Sequence, residues 1–318
     1  MLKHVALAFV LAMAAPGAAL AAFPERPVKI VVANPPGGPV DVMLRVLAAK
    51  LGETWKQPVV VENRPGASGI LSTNAVVKAP ADGYTLGMVV ASALTIVPFA
   101  VDNLPYDSEK DLQPISLVAR TPFIFIVPAD SPYKTWADFT REAKARQLTV
   151  GSFSIGTAFH LVWEQTARRA GIEALYVPSS SSGKTQTDLI GGLLDMAVDA
   201  PSSAKGLIEA GRVRALAITS PQRFAGLPDT PTLDEAGLSG YAAQPWIGLL
   251  APAGLPAERV QEIHRAVTQV LQEPDVQAQM QTLGMIPVGS TPAELARTIS
   301  RDRADMAPLV KELGIRLQ

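Results

Sequence analysis

The sequence predicts an α/β fold in two lobes, and three patterns carry that expectation. Short apolar, β-branched runs alternate with segments of helical periodicity. Three of the strand-to-helix connections are tight turns rich in glycine. A set of strand and helix candidates complete enough for its own core, residues 123–244, stands between two proline-marked crossings, Thr121-Pro122-Phe123 and Gln244-Pro245-Trp246. Length and composition agree. The chain has 318 residues, 48% hydrophobic and 18% charged, which suits two packed domains rather than disorder.

The N-terminus comes first. Lys3 and His4 precede the apolar run Val5 to Ala15, and Ala19-Leu20-Ala21 offers small residues to a signal peptidase. That run is short for a bilayer span, so residues 1–21 are expected to be a cleaved export signal and the mature chain to be periplasmic. Cysteine is absent, which excludes a lipoprotein anchor, a disulfide framework and a thiolate site. A formal net charge of -1 gives no electrostatic footprint for nucleic acid.

The first lobe is expected from residues 22–122 plus 245–318, with residues 123–244 inserted as the second. In the first, strands are expected at Val28 to Ala33, Val59 to Glu62 and Thr85 to Val90, and between them a helix that carries Val42, Val46 and Ala49 on one face with Leu47 and Leu51 alongside. In the second, the strand candidates are Phe123 to Val127, Leu148 to Gly151, Leu175 to Val177, Met196 to Asp199 and Val213 to Thr219. A helix opening near Ala158 is expected to stop at Gly171. Trp246 to Ala251 is the returning strand, and the helices from Ala257 to Leu313 are expected to pack back on the first lobe. Several of these runs are continuously apolar, as strands buried on both faces of a parallel sheet are.

The glycine turns carry the chemistry. They are Pro36-Gly37-Gly38-Pro-Val40-Asp41, then Gly66-Ala67-Ser-Gly69, then Ser154-Ile-Gly156-Thr157-Ala-Phe-His160. A helix N-terminus leaves N–H groups unpaired and carries roughly half a positive charge, so it accepts an anion. Three such turns at the carboxyl ends of strands, in a cleft between hinged lobes, point to a small carboxylate ligand.

Several segments, in order, resemble the Bug receptors, the periplasmic substrate-binding subunits of tripartite tricarboxylate transporters (TctC-like). These are Phe23-Pro-Glu-Arg-Pro27, the Pro36–Asp41 turn, Val59-Val-Val-Glu-Asn-Arg-Pro-Gly66-Ala-Ser-Gly69, Pro80-Ala-Asp-Gly-Tyr-Thr-Leu86, Leu104-Pro-Tyr-Asp107, Leu227-Pro-Asp-Thr-Pro-Thr232 with Glu235-Ala-Gly237, and Ala251-Pro-Ala-Gly254. The resemblance implies a type II, Venus-flytrap periplasmic binding protein with two hinge crossings. It also implies delivery of a small organic acid to membrane permease subunits, no cofactor, and a monomer. The implied ligand contacts are Pro36, Gly37, Gly38, Val40 and Asp41, with Ala67, and with Ser92 after the third strand. Across the cleft they are Ser154, Gly156, Thr157, His160, Ser179 and Asp199. Two positions depart from the family pattern: Val40 stands where a hydroxyl is usual, and Pro178-Ser-Ser-Ser-Ser-Gly183-Lys184 replaces a tyrosine-bearing loop.

Each residue also has a plainer reading. Gly37 and Gly38 form a turn in any case. Asp41 is either a first-turn dipole partner or a group that binds the ligand's hydroxyl, its amine or a water. His160 packs behind the site or touches the ligand, Lys184 caps a helix or reaches the ligand's distal end, and Asn63 with Arg64 braces the second turn. Trp136, Trp163 and Trp246 read as core. An enzyme is not expected: no Gly-x-Ser-x-Gly occurs, and His160 and His264 stand in no metal-binding spacing, so no metal site is expected. A sensory binding protein feeding a two-component sensor is the remaining alternative, since it needs the same cleft.

Overall fold

The computed structural model describes residues 23–317, so the expected export signal lies outside the described residues. The chain opens with β1 (Val28–Val32), α1 (Pro39–Trp55) and β2 (Val59–Asn63). A single 3-10 turn, Ala67–Gly69, leads into α2 (Ile70–Val77), followed by β3 (Thr85–Val90), the short α3 (Ala91–Thr95) and α4 (Val97–Ala100), and β4 (Leu112–Arg120). Then come β5 (Ile124–Pro128), α5 (Trp136–Ala145), β6 (Leu148–Phe153), α6 (Ala158–Ala170), β7 (Ala174–Ser179), α7 (Ser182–Ile190), β8 (Met196–Asp199), α8 (Pro201–Glu209) and β9 (Val213–Ile218). The chain closes with β10 (Trp246–Pro252), α9 (Ala257–Leu271), α10 (Pro274–Thr282), β11 (Ile286–Pro287) and α11 (Pro292–Glu312).

These strands form two sheets, one for each lobe. The first runs β11-β4-β10-β3-β1-β2 and the second β7-β6-β8-β5-β9. Both are mixed. β1 pairs parallel with β2 and β3, whereas β10, buried along its whole length, runs antiparallel between β3 and β4. Continuous apolarity thus reported burial on both faces, but not strand direction. Alternation along β1 shows how the first sheet is covered. Ile30 and Val32 face α1 and α9 through Leu44, Leu47 and Val267, while Val31 faces Val76, Leu295 and Ile299 of α2 and α11. In the second sheet Phe125 and Val127 meet Trp136, Phe139 and Trp163 on one face, and Ile124 and Ile126 meet Leu189 and Ala204 on the other.

Two sequence expectations need correction. The buried stripe of α1 is Val40, Met43, Leu44, Leu47 and Leu51, so Leu47 and Leu51 lie in the core as expected, but Val42 is exposed and the core face is rotated from Val42, Val46 and Ala49. β4 was missed because Pro114 interrupts it, and proline lacks a ladder donor. In the fold Pro114 lies opposite Leu250, where the register between β4 and β10 shifts, so the strand tolerates it at an irregularity.

The crossings are joined to each other. Thr121 donates from its backbone N–H (2.8 Å) and its hydroxyl (3.1 Å) to the Pro245 carbonyl. Away from them, α6 packs on α11 and the segment after it. Leu161 joins an apolar cluster with Ile96, Leu309, Val310 and Ile315, and Arg168 makes a two-pronged ion pair with Glu312, both contacts at 2.8 Å. The final helix therefore touches both lobes.

Candidate functional site

The first turn is built around Asp41. Gly37 takes φ +82°, which glycine adopts without strain. Its N–H donates to Asp41 Oδ2 (2.9 Å), as does Arg45 Nε (2.9 Å), while Asn63 Nδ2 donates to Asp41 Oδ1 (2.7 Å). Arg45, with Asn63 and the Gly37 N–H, holds the Asp41 carboxyl down at about 2 although the residue is only 1% exposed. The carboxylate therefore braces the turn from behind. Asn63 also donates to the Asn34 carbonyl (2.9 Å), so it serves the first turn rather than the second. Arg64 pairs with Glu62.

Val40 has its side chain turned inward. Its side chain is 9% exposed and lies in the first lobe's core, so only its backbone is left for a ligand. The absent hydroxyl at this position then removes no donor from the cleft. Pro39 opens α1 with no side-chain cap, and the N–H groups of Val40 and Asp41 find no acceptor among the described residues.

At the second turn the backbone is left-handed over Gly66, Ala67, Ser68 and Gly69 (φ +123°, +45°, +52° and +91°). Two non-glycine residues in that region hold strain of order 1–3 kcal/mol each, the kind stored at functional sites. The Ala67 and Ser68 N–H groups have no acceptor among the described residues. A Cβ on Gly69 would stand 3.3 Å from that of Ala93 and 3.6 Å from that of Ala33, so glycine lets this turn close against its two neighbours. Ser92, beyond β3, is half-buried.

The second lobe repeats the design. Gly156 takes φ +78° and donates to His160 Nδ1 (3.2 Å), and Thr157 caps α6. The Thr157 hydroxyl also donates to the Ser154 carbonyl (2.8 Å), and the Ser154 N–H donates to the Ser179 carbonyl (3.2 Å). His160, 6% exposed and packed on Tyr176, stands behind the turn, as its plainer reading had it. The Ala158 and Phe159 N–H groups lack acceptors among the described residues.

Asp199 is likewise occupied by protein groups. The Ser182 hydroxyl, Gln186 Nε2 (2.7 Å) and the Ala200 N–H (2.7 Å) all donate to it, and burial without a cation pushes its pKa up from the ordinary aspartate value. Ser179 ends β7, Ser181 caps α7 and Ser182 opens it, so the serine run is the short connection between these two elements. Lys184 turns to Asp188 (2.8 Å). The cations nearest these turns in sequence are all engaged by carboxylates, which leaves backbone N–H groups and the hydroxyls of Ser68, Ser92 and Ser154 as the unpaired donors among the described residues.

Sequence reasoning missed the cavity beside Ser92. It holds about 380 Å³ between α3, α6 and α11, and Arg120, Gln165, Gln244 and Asp305 line it. Of the expected site residues it includes Ser92 alone. A lone arginine ending the run Leu117-Val-Ala119 was the available signal.

A family model described as "Tripartite tricarboxylate transporter family receptor" matches residues 43–315. The chain belongs to this receptor family. Among the relatives of this receptor is Protein BugT of Bordetella pertussis (strain Tohama I), 33% identical over 299 residues, 93% of this chain and 92% of BugT. A solved structure titled "R. palustris Rpa4515 with adipate" is 31% identical with TM-score 0.76, covering 92% of the receptor and 99% of that chain. MatC (Rpa3494) from Rhodopseudomonas palustris with bound malate is 28% identical with TM-score 0.70, covering 91% and 100%. The two-lobed periplasmic binding protein fold expected from the sequence is the fold of these receptors.

Proposed function

We propose that this receptor works in the periplasm. There it binds a small carboxylate between its lobes and delivers it to the membrane permease subunits of a tripartite tricarboxylate transporter. The observation that carries this reading is a set of unpaired backbone donors at the carboxyl edges of the two sheets: Val40, Asp41, Ala67 and Ser68 on one side, Ala158 and Phe159 on the other. Around them Pro36, Gly37, Gly38, Ser92, Ser154, Gly156, Thr157 and Ser179 shape the walls. Asp41, His160 and Asp199 act from behind by fixing the turns. The inserted lobe, residues 123–244, swings on the Thr121–Pro245 pair, residues 1–21 direct export, and the mature chain acts as a monomer. Adipate and malate in the related proteins support the ligand class.

Magnitudes support an amide-only clamp. A micromolar ligand requires about 8 kcal/mol. Charge-assisted hydrogen bonds contribute roughly 1.5–3 kcal/mol each, so six leave a surplus over ordering costs.

A thermal-shift screen of the mature chain against organic acids, amino acids, sugars and peptides tests the reading. A true ligand at a hundred times its Kd stabilises by about 2.7 kcal/mol. Stabilisation by neutral sugars or peptides, with none from any acid, would overturn the carboxylate assignment.

A further inference from the structure

A second polar groove lies beside the crossings and shares no residue with the glycine turns. It holds about 590 Å³ between Ser220–Ala225 of the second lobe and α10 with β11 of the first, with Arg120 and Gln244 of the crossings in its lining. No acidic residue lines it, whereas Arg120, Arg223, Gln222, Gln277, Gln281 and Ser220 do.

Its donors are short of acceptors. Ser220 is 1% exposed and its hydroxyl has no partner, and neither does the buried Gln244 Nε2. Such orphans are uncommon in native proteins, and each asks for a cause. The one hydrogen bond from the Arg120 side chain goes to the Gln244 carbonyl (3.2 Å), a neutral acceptor. Burial pulls the guanidinium's pKa below its usual value, and Asp302 only partly offsets this. Arg223 is tied to Glu235 through Nε (3.0 Å) and to the Pro228 carbonyl through Nη1 (3.1 Å), which leaves Nη2 for another acceptor.

We propose that this groove, which shares Arg120 and Gln244 with the cavity beside Ser92 but no residue with the glycine turns, is a second binding site for a small tetrahedral oxyanion of the phosphate class. Two guanidiniums and the exposed amides of Gln222 and Gln281 around one cavity supply donors and positive charge, which is what an oxyanion needs and what a neutral solute does not. The acceptor-poor lining disfavours a cation or an amine. Ser220 and Gln244 hold these atoms closed off behind the groove wall, so they gain the acceptors that the protein does not supply only by turning outward toward the bound anion.

Titration calorimetry of the mature chain with inorganic phosphate at low ionic strength tests the site. One saturable site is expected, weakened as salt rises. The variant Ala67→Asp puts a carboxylate at the cleft turn and is expected to leave phosphate affinity within about twofold. Arg120→Gln and Gln281→Glu are each expected to weaken it by roughly tenfold or more. Gln281 is exposed, so its variant reads the groove even if Arg120→Gln disturbs the crossing. The proposal is overturned by the absence of saturable binding. It is equally overturned if Ala67→Asp abolishes phosphate binding while Gln281→Glu leaves it intact, since phosphate would then sit in the cleft.

Discussion

In each lobe a left-handed glycine opens the turn before a helix, and a side chain four residues later accepts its N–H. Asp41 does this for Gly37 at 2.9 Å, and His160 does it for Gly156 at 3.2 Å. One helical turn further on, the charges invert: position 45 is an arginine 2.9 Å from Asp41, and position 164 a glutamate 3.6 Å from His160 Nε2. The geometry of the brace is thus common to both lobes, while its chemistry is set by the neighbour. A carboxylate can stand behind an anion site when an arginine offsets its charge. Beside Glu164 the acceptor has to be neutral, because imidazole accepts at Nδ1 only when that nitrogen carries no proton. One lobe uses an ion pair in a network, the other a tautomer.

Removing the first brace is the severest way to break this symmetry. Asp41→Ala leaves the Gly37 N–H, Arg45 and the Asn63 amide without their shared acceptor. The expected loss is about 2–4 kcal/mol of unfolding free energy, moderated because Arg45 keeps access to water. Urea denaturation reads it, and a loss under about 1 kcal/mol would show that the network adds little. The same carboxylate sets an acid window. Its folded pKa, about 2, lies below that of an unfolded aspartate. Its stabilisation is therefore complete above about pH 4 and disappears as pH falls through the folded value. Asp199, with a raised pKa, has the opposite sign: its contribution is present at low pH and is lost as pH rises through its folded pKa. The stability difference between wild type and Asp41→Ala should shrink on acidification.

How much of this the sequence made legible depends on the range of the interaction. The glycine turns and nine strands were readable because each is a local pattern, and their ends shifted by two residues at most. Gly171 stops α6 in the left-handed region as its position suggested. β4 was hidden by Pro114, whose local cost is absorbed by a register shift against a strand more than a hundred residues away. That the Val40 side chain turns inward was not legible, because Pro39 fixes the start of α1 and the helix phase then sends the next side chain into the core. Asn63 bracing Asp41, and the groove joining Arg120, Ser220 and Gln244, arise only when distant segments meet. No periodicity announces them.

A milder break exchanges one chemistry for the other. His160→Asp offers the Gly156 N–H a carboxylate, but one facing Glu164 with no arginine. The expected cost is about 1–3 kcal/mol, more than for His160→Asn, which keeps a neutral acceptor. Adding Glu164→Arg to His160→Asp recreates the pairing of the first lobe and should recover at least half of that loss. A double-mutant cycle in urea isolates the coupling. If the cycle is additive within about 0.5 kcal/mol, the neighbour does not set the brace.

The smallest effect sharpens a second difference between the lobes. The second lobe's turn confines its positive φ to Gly156, whereas the first lobe also places Ala67 and Ser68 there. The Ser68 side chain is exposed and makes no hydrogen bond among the described residues, so its φ of +52° is held by the flanking glycines and not by the hydroxyl. Ser68→Gly removes the steric strain but adds freedom to the unfolded chain, two terms of opposite sign. Relief from the left-handed region, about 1–2 kcal/mol by backbone sterics, exceeds the entropic loss of about 0.4–1 kcal/mol. Net stabilisation of roughly 0.5–1 kcal/mol is therefore expected in denaturant unfolding. Destabilisation by a similar amount would mean that the serine hydroxyl, and not the shape of the turn, is what the first lobe keeps there.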